Sequence, residues 1–338
     1  MRFIVVVGVR VTLRYDIVTF GRIGVDLYAP TIGIRLADAD GFVRAVGGCA
    51  GNVAIACARL GLRSAIVSAV GADRAGDYLE AALRREMVAT TGLRRVAGCR
   101  SVLAFASVGP DGRPEIEFVR ERAVDTLYDV AAVDTVMIGS TRALVISGAH
   151  VAMGIGDRAL RGAIEAAREA RALVVLDIDY RANIGPPAPS AILAARLRPW
   201  LAAADIVFGT EAEWGVAGNA AAVVDALRAC RLVGVGLFVV KRGERGAVLI
   251  DGAVPDRLDD GVVGPGFAVA TVNPLGAGDA FLAGFLERLL RGGSPEDALI
   301  AGNACGAIVA SRLLCSTSCP TLTELETFLQ QHQRGAGA

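Results

Sequence analysis

Short apolar runs and stretches of helical apolar spacing alternate along most of the chain, the pattern of an α/β protein. Asp16 to Gly21 reads as a buried strand, and Asn52 to Leu60 as a helix that starts at Asn52 and stops before Gly61. Between them, Leu27 to Val46 is too irregular for a crossover helix. Ala65 to Val70 is β-rich, and Gly76 to Met87 places Tyr78, Leu79, Ala82 and Leu83 on one helical face. The alternation then breaks. Ser101 to Val108 and Glu115 to Val119 alternate like strands around Gly109-Pro110-Asp111-Gly112, which predicts a hairpin and with it an added β element, a lid.

Further along, apolar runs at Ala143 to Ser147, Leu173 to Ile178, Asp205 to Phe208, Leu237 to Val240 and Ala247 to Ile250 suit parallel strands covered on both faces. A helix is expected over Asp157 to Ala170, and two more over Phe281 to Leu290 and the Ala-rich Asp297 to Ser311. There is no internal repeat, and the residues after Gln330 read as a disordered tail. With no linker interrupting the pattern, the 338 residues are expected to form one large α/β unit.

Charge narrows the class of partner. Lys+Arg 35 balances Asp+Glu 35, so there is no basic field for nucleic acid or an anionic membrane surface, and a small molecule is the expected partner. The apolar run from Met1 to Val9 is interrupted by Arg10 and Arg14 and lacks a small-residue cleavage site, so it reads as strand rather than signal peptide. No apolar stretch approaches the roughly 20 residues of a membrane span. The seven cysteines contain no CxxC pair and read as free, buried thiols in a reducing, cytoplasmic compartment. With only His150 and His332 available, zinc hydrolase and Ser/His/Asp chemistry fall away.

The most informative segment is Gly276-Ala277-Gly278-Asp279, directly before the helix that carries Phe281, Leu282, Phe285, Leu286 and Leu289 on one face. Glycines at a helix N-terminus let backbone N–H groups meet an anion, and a carboxylate there needs another task, such as taking a proton from an attacking hydroxyl. Taken alone, the segment reads more readily as an ordinary glycine turn with Asp279 as a helix-capping or first-turn acid, and other segments must lift it. Gly47-Gly48-Cys49-Ala50-Gly51-Asn52 is a second glycine turn entering a helix, where Asn52 could serve a polyol or simply cap. Lys241 is the one lysine in the chain. It ends an apolar strand ahead of Arg242-Gly243-Glu244-Arg245-Gly246, where a compact ammonium could meet a phosphate or merely be kept on a solvated strand end. Arg181, after Asp177-Ile178-Asp179-Tyr180, could hold a carboxylate or phosphate, or form a surface ion pair. There is no GxxxxGK[ST], and no GxGxxG placed after a strand, which removes P-loop and dinucleotide readings.

GGxxxN near the start, paired with GAGD before a late helix, resembles the ribokinase-like (PfkB) carbohydrate kinases over nearly the whole chain from Asp16 onward. Phe20-Gly21-Arg22-Ile23-Gly24-Val25-Asp26-Leu27-Tyr28, Val239-Val240-Lys241-Arg242-Gly243 and Asn303-Ala304-Cys305-Gly306 are most similar to the branch that phosphorylates 5-dehydro-2-deoxy-D-gluconate in inositol catabolism. The resemblance implies a three-layer α/β/α sandwich over residues 16–330, with a mostly parallel sheet and a small β lid from segments near 27–46 and 98–125. Residues 1–15 would then be an N-terminal extension and 331–338 a disordered tail.

By the same resemblance, Asp26, Gly47, Gly48 and Asn52 hold substrate hydroxyls while Arg120 and Arg181 face the acid end. Gly276, Ala277 and Gly278 form the anion hole, with Asp279 as base. ATP lies along Lys241, Gly243 and Gly246 with Asn303 near the adenine, and Mg²⁺ bridges its phosphates with Glu213 reaching the metal through water. Potassium is left open as a further cofactor, and a homodimer clasped through the lid is implied. The sequence departs from the pattern at Asn273-Pro274, where the wider family has Asp-Thr, at Thr210 in the NxxE position, and at Ala182 after Arg181. Rival substrates are 2-keto-3-deoxygluconate and fructose. The rival class is a non-catalytic sugar or nucleotide sensor, and the two glycine turns argue against a purely structural protein.

Overall fold

The computed structural model of the chain describes residues 13–127, 135–149, 157–180 and 188–335. Its strands are β1 (Tyr15–Phe20), β2 (Gly24–Tyr28), β3 (Val43–Gly47), β4 (Ser64–Gly71), β5 (Leu93–Val96), β6 (Val102–Val108) and β7 (Pro114–Val119). The later ones are β8 (Thr141–Ser147), β9 (Leu173–Asp177), β10 (Ile206–Thr210), β11 (Leu237–Lys241), β12 (Ala247–Asp251) and β13 (Val262–Gly264). The helices are α1 (Cys49–Arg59), α2 (Arg74–Arg85), the single turns α3 (Val124–Leu127) and α4 (Thr135–Ile138), α5 (Asp157–Glu169) and α6 (Ser190–Leu201). They continue with α7 (Glu211–Gly218), α8 (Val223–Val233), α9 (Ala277–Leu290), α10 (Pro295–Ala310) and α11 (Leu322–Gly335).

Nine strands form one sheet in the order β13-β12-β11-β10-β9-β8-β1-β4-β5, and four form a second in the order β3-β2-β6-β7. The pairs from β11 through β10, β9, β8, β1 and β4 to β5 are parallel. β12 and β13 are antiparallel, which corrects the expectation that Ala247 to Ile250 continues the parallel set. A tight turn through Gly243–Arg245 joins β11 to β12, too short for the crossover a parallel strand needs.

Strand alternation sends successive side chains to opposite helical layers. Val18, Leu144, Val174 and Leu176 pack with α5, α6 and α8, whereas Ile17, Ala143, Val145 and Val175 pack with α1, α9 and α10. The three-layer expectation is met. The predicted hairpin is β6 and β7, antiparallel through Val108↔Pro114, and it joins β2 and β3 in the lid sheet. The segment from Leu27 to Val46, expected to be irregular, carries the end of β2 and most of β3.

Both chain ends differ from expectation: Tyr15 already belongs to β1, and α11 continues to Gly335 where a disordered tail was expected after Gln330. No helix among the described residues is long and apolar enough to cross a membrane.

Strand order reverses at β1, whose neighbours are β4 and β8. Open α/β sheets bind ligands beyond the carboxyl ends of their strands at such a point. Arg22, Asp177, Thr210 and Lys241 all lie at or just past those ends, so one topological fact gathers residues that are far apart in sequence.

Candidate active site

Two glycine-entered helices meet at the centre of this edge. Gly48 is the N-cap of α1 and Gly276 that of α9, each with φ of +82°. A Cβ on Gly48 would lie 2.5 Å from the Arg22 carbonyl oxygen, and one on Gly276 would lie 2.5 Å from the Cys315 Cβ, so only glycine gives both the conformation and the space. Asn52 therefore is not a cap. It sits one turn inside α1, and its Nδ2 donates to Asp279 Oδ2 at 2.7 Å. Both residues are buried, Asp279 at 4% exposure. That hydrogen bond joins the two motifs across 227 positions of sequence.

Asp279 occupies the first turn of α9, where the leading backbone N–H groups have no carbonyl partner within the helix. The Ala277 N–H makes a long 3.3 Å bond to the Pro274 carbonyl. Gly278 faces the ammonium of Lys241, since a Cβ there would lie 3.3 Å from Nζ.

Lys241 is not on a solvated strand end. Its Nζ donates to both carboxylate oxygens of Asp177 at 2.9 Å, with the two side chains 11% and 2% exposed. Burial opposes the ammonium, but Asp177, Glu213 and Asp279 outweigh it and raise its pKa. Burial likewise pushes the Asp177 carboxyl up, Lys241 pulls it back, and Glu213 and Asp179 push it up again.

The carboxylates here outnumber the one ammonium, a surplus that suits a hard divalent cation arriving with phosphate. Glu213 fits the expected water-linked contact only in part, because its Oε2 accepts from the Thr210 N–H at 2.6 Å while the Thr210 hydroxyl accepts from the Glu213 N–H at 3.2 Å. That reciprocal cap fixes the start of α7 and accounts for threonine at this position. Ligand atoms of Cys49, Asp177 and Asp279 lie within 4.8 Å of one another. Burial, then Asp279, Asp179 and Asp177, push the Cys49 thiol well up, so it is a neutral neighbour of these carboxylates.

A cavity of about 500 Å³ opens on the Lys241 side, and Thr210, Gly243, Gly246, Gly278 and Asn303 stand on its wall, within the range of nucleotide-sized sites. Asn303 spends its amide on the carbonyls of Gly264 and Pro265, at 3.0 and 2.9 Å, so it shapes this wall through the loop.

A second cleft lies under the lid, with Arg22, Asp26, Asn52, Phe118 and Gly276 among its lining. Asp26 accepts from the Tyr28 hydroxyl at 3.2 Å, and Gly47 lies so near it that a Cβ would fall 2.1 Å from the carboxyl. Arg120 is placed otherwise than expected. It forms a 2.8 Å ion pair with buried Asp125 and does not line the cleft. Arg181 lies outside the described residues.

Three contributors escaped the sequence reading. Asp177 was legible only as the end of a buried strand, Arg22 only as part of a motif string, and Cys315, whose Sγ lies 3.3 Å from Asn52 Oδ1, gave no signal. Asn273, noted as a departure, is buried and donates from Nδ2 to the Leu313 carbonyl at 2.7 Å while accepting from the Leu275 N–H at 3.1 Å.

The family model described as pfkB family carbohydrate kinase matches residues 14–322. The 5-dehydro-2-deoxygluconokinase of Photobacterium profundum is 30% identical over 330 residues, covering 94% of this chain and 96% of that protein. Fructokinase-1 of Oryza sativa subsp. japonica is 33% identical over 330 residues, covering 93% and 97%. The crystal structure of fructokinase with bound ATP from Xylella fastidiosa shares the fold, with a TM-score of 0.80 at 24% identity over 94% of this chain and 99% of that one. Since the match runs almost end to end and takes in both glycine turns and the aspartate they share, the chain belongs to the pfkB family of carbohydrate kinases.

Proposed function

We propose that the chain transfers the γ-phosphoryl group of ATP to a terminal hydroxyl of a sugar acid, with 5-dehydro-2-deoxy-D-gluconate as the first candidate and its inositol-catabolic role following from it. One arrangement carries this reading: Asn52, which lines the cleft under the lid, holds Asp279, whose chain neighbour Gly278 lines the cavity beside Lys241. A hydroxyl in the first and a triphosphate in the second would meet at the Asp279 carboxylate.

The substrate hydroxyl gives its proton to Asp279 as its oxygen attacks the γ-phosphorus in line, and the bond from phosphorus to the β,γ-bridging oxygen breaks to release ADP. Asn52 fixes the carboxylate for that transfer, which is a matter of orientation. The first-turn amides of α9 take up charge developing on the phosphoryl oxygens. Glu213 and Asp177 would hold Mg²⁺ beside the phosphates, where it would supply further positive charge. Residues 16–330 then work as one kinase domain, with the β2-β3-β6-β7 sheet as the lid over the sugar.

The test is ATP consumption with Mg²⁺ against 5-dehydro-2-deoxygluconate, 2-keto-3-deoxygluconate, fructose and ribose, for wild type and Asp279→Asn. Turnover should fall by a factor on the order of 10² to 10⁴ in the variant, with ATP binding retained. Undiminished turnover would remove Asp279 from the base role. A neutral hexose is the second reading, favoured by the 33% identity to a fructokinase, and the same panel separates it. Repeating the assay in potassium and in tetramethylammonium salts tests the monovalent cation, and light scattering tests the homodimer.

A further inference from the structure

The loop that follows α10 brings Cys315 to the place where the two glycine turns meet. A Cβ on Gly276, the N-cap of α9, would lie 2.5 Å from the Cys315 Cβ, and the Cys315 Sγ lies 3.3 Å from Asn52 Oδ1 on α1. We infer that Cys315 is a positioning residue of the phosphoryl transfer: its S–H donates to Asn52 Oδ1 and so fixes which end of the Asn52 amide is turned to Asp279. This rests on the base role proposed above for Asp279.

The loop holds the sulfur firmly. The Asn273 amide donates to the Leu313 carbonyl at 2.7 Å on one side of Cys315, and the Ser316 hydroxyl donates to the Val46 carbonyl at 2.6 Å on the other. Three acceptors lie within reach of the single thiol proton: Asn52 Oδ1 and the Val46 carbonyl, each at 3.3 Å, and Asp26 Oδ2 at 3.7 Å. Val46 already accepts from Ser316, and Asp26 Oδ2, the most distant, accepts from the Tyr28 hydroxyl. Asn52 Oδ1 has no other donor among the described residues, and leaving a buried amide oxygen without one is costly. Burial, then Asp26, push the Cys315 thiol up to about 12, so it keeps the proton it donates.

The two ends of an amide are nearly alike in shape, so hydrogen bonds decide which way it faces. While Asp279 is ionised, its carboxylate itself favours Nδ2, which donates to it at 2.7 Å. Once Asp279 has taken the substrate's proton, its new O–H can donate, and an amide turned over would offer it Oδ1 and trap that proton. Turning over would also set the NH₂ group against the Cys315 S–H, with only a weakly accepting sulfur to receive it. The thiol therefore holds Nδ2 toward Asp279 through both halves of the cycle, and the proton is free to pass from Asp279 to solvent before the next transfer.

The experiment measures kcat and KM in wild type, Cys315→Ala, Cys315→Ser, Asn52→Ala and the double variant Asn52→Ala with Cys315→Ala, on whichever sugar of the panel wild type phosphorylates. Cys315→Ala should lower kcat on the order of 10-fold with KM for ATP unchanged, and Cys315→Ser, which keeps a hydroxyl donor, should recover most of that loss. Because the thiol acts through Asn52, adding Cys315→Ala to Asn52→Ala should lower kcat no further. An undiminished kcat in Cys315→Ala, equal losses in the alanine and serine variants, or losses that multiply in the double variant each overturn the assignment and leave Asp279 as base. Should Cys315→Ala fail to fold by thermal melt, Cys315→Val, apolar and close in volume to cysteine, takes its place in the same comparison. A wild type that turns over no sugar overturns the proposed function and this inference with it.

Discussion

Replacing Lys241 with methionine isolates the electrostatics of the site in one measurable quantity. The change removes one partner of a buried pair and leaves Asp177, 2% exposed, among Asp179 and Glu213. Breaking a buried ion pair from one side costs about 3–5 kcal/mol, because the remaining charge keeps its desolvation penalty and loses its compensation. At roughly 2–3 °C per kcal/mol for a domain of this size, the melting temperature at alkaline pH, where Asp177 is ionised, should fall by roughly 6–15 °C.

The pH dependence carries the sharper test. Asp177 has a folded pKa above its ordinary 3.8, and losing Lys241 can only raise it further. A raised carboxyl costs stability only as pH climbs: nothing below the unfolded value, then about 1.4 kcal/mol per pH unit until the folded pKa is passed. Wild type titrates Asp177 at about 7, so wild type and Lys241→Met should run in parallel below that pH and separate above it in denaturant titrations. Adding Asp177→Leu to Lys241→Met should return most of the loss. A gap that does not vary with pH, or one below about 1 kcal/mol at pH 8, would show a solvated pair and refute the reasoning.

Gly276→Ala places a side chain at φ +82° and 2.5 Å from the Cys315 Cβ, so it should cost about 1–3 kcal/mol by denaturant titration and lower kcat by shifting the first turn of α9. Asn273→Asp removes the donor from buried Asn273 to the half-buried Leu313 carbonyl, which should cost about 1–3 kcal/mol in the same titration. Burial pushes the Cys315 thiol up to about 12, with Asp26 adding to it. In native protein at pH 8, aromatic disulfide reagent should therefore modify only Cys99 quickly, the one cysteine of the seven that is not buried. Rapid loss of the Cys49 or Cys315 thiol in that titration would mean the reaction centre opens to solvent.

What the sequence exposed and what it hid follow from the range of the interactions involved. The strands of the central sheet are buried on both faces, so each is an apolar run with a visible start and end, and the hairpin announced itself through Pro110 and Gly112. Parallel and antiparallel runs look alike in isolation, so the reversal at β12 was not visible. Helix starts set by glycine rather than by a side-chain cap also misled: Asn52 had the residue type of a cap, and only the tertiary bond to Asp279 shows its use. The singular lysine was a usable clue, but its partner Asp177 lies 64 positions away, beyond any local pattern. Arg120 and Arg22 are equally arginine in sequence; a buried Asp125 beside one and a lid phenylalanine over the other decide which of them meets the cleft.

A phosphoryl-transfer site must hold a carboxylate base and an anionic phosphate almost in contact, and the fold answers that conflict mainly with amides. Two helix N-termini converge on Asp279, so its charge sits in a positive field that a phosphate can share. Lys241 stands beside Gly278, but both its short contacts go to Asp177, so its ammonium enters the site as one half of a neutral pair. A free cation there would bind Asp279 as readily as a phosphate, lowering the basicity that proton transfer requires. Tying the ammonium to Asp177 keeps it pointed at the phosphate side and leaves Asp279 oriented by neutral Asn52. Asn52→Asp should therefore damage turnover far more than its size suggests, because it replaces a donor with a second carboxylate 2.7 Å from the base, where one of the two would have to hold a proton. A kcat that then recovers at low pH would point to that shared proton, and a kcat depressed equally at every pH would mean that Asn52 matters only for packing.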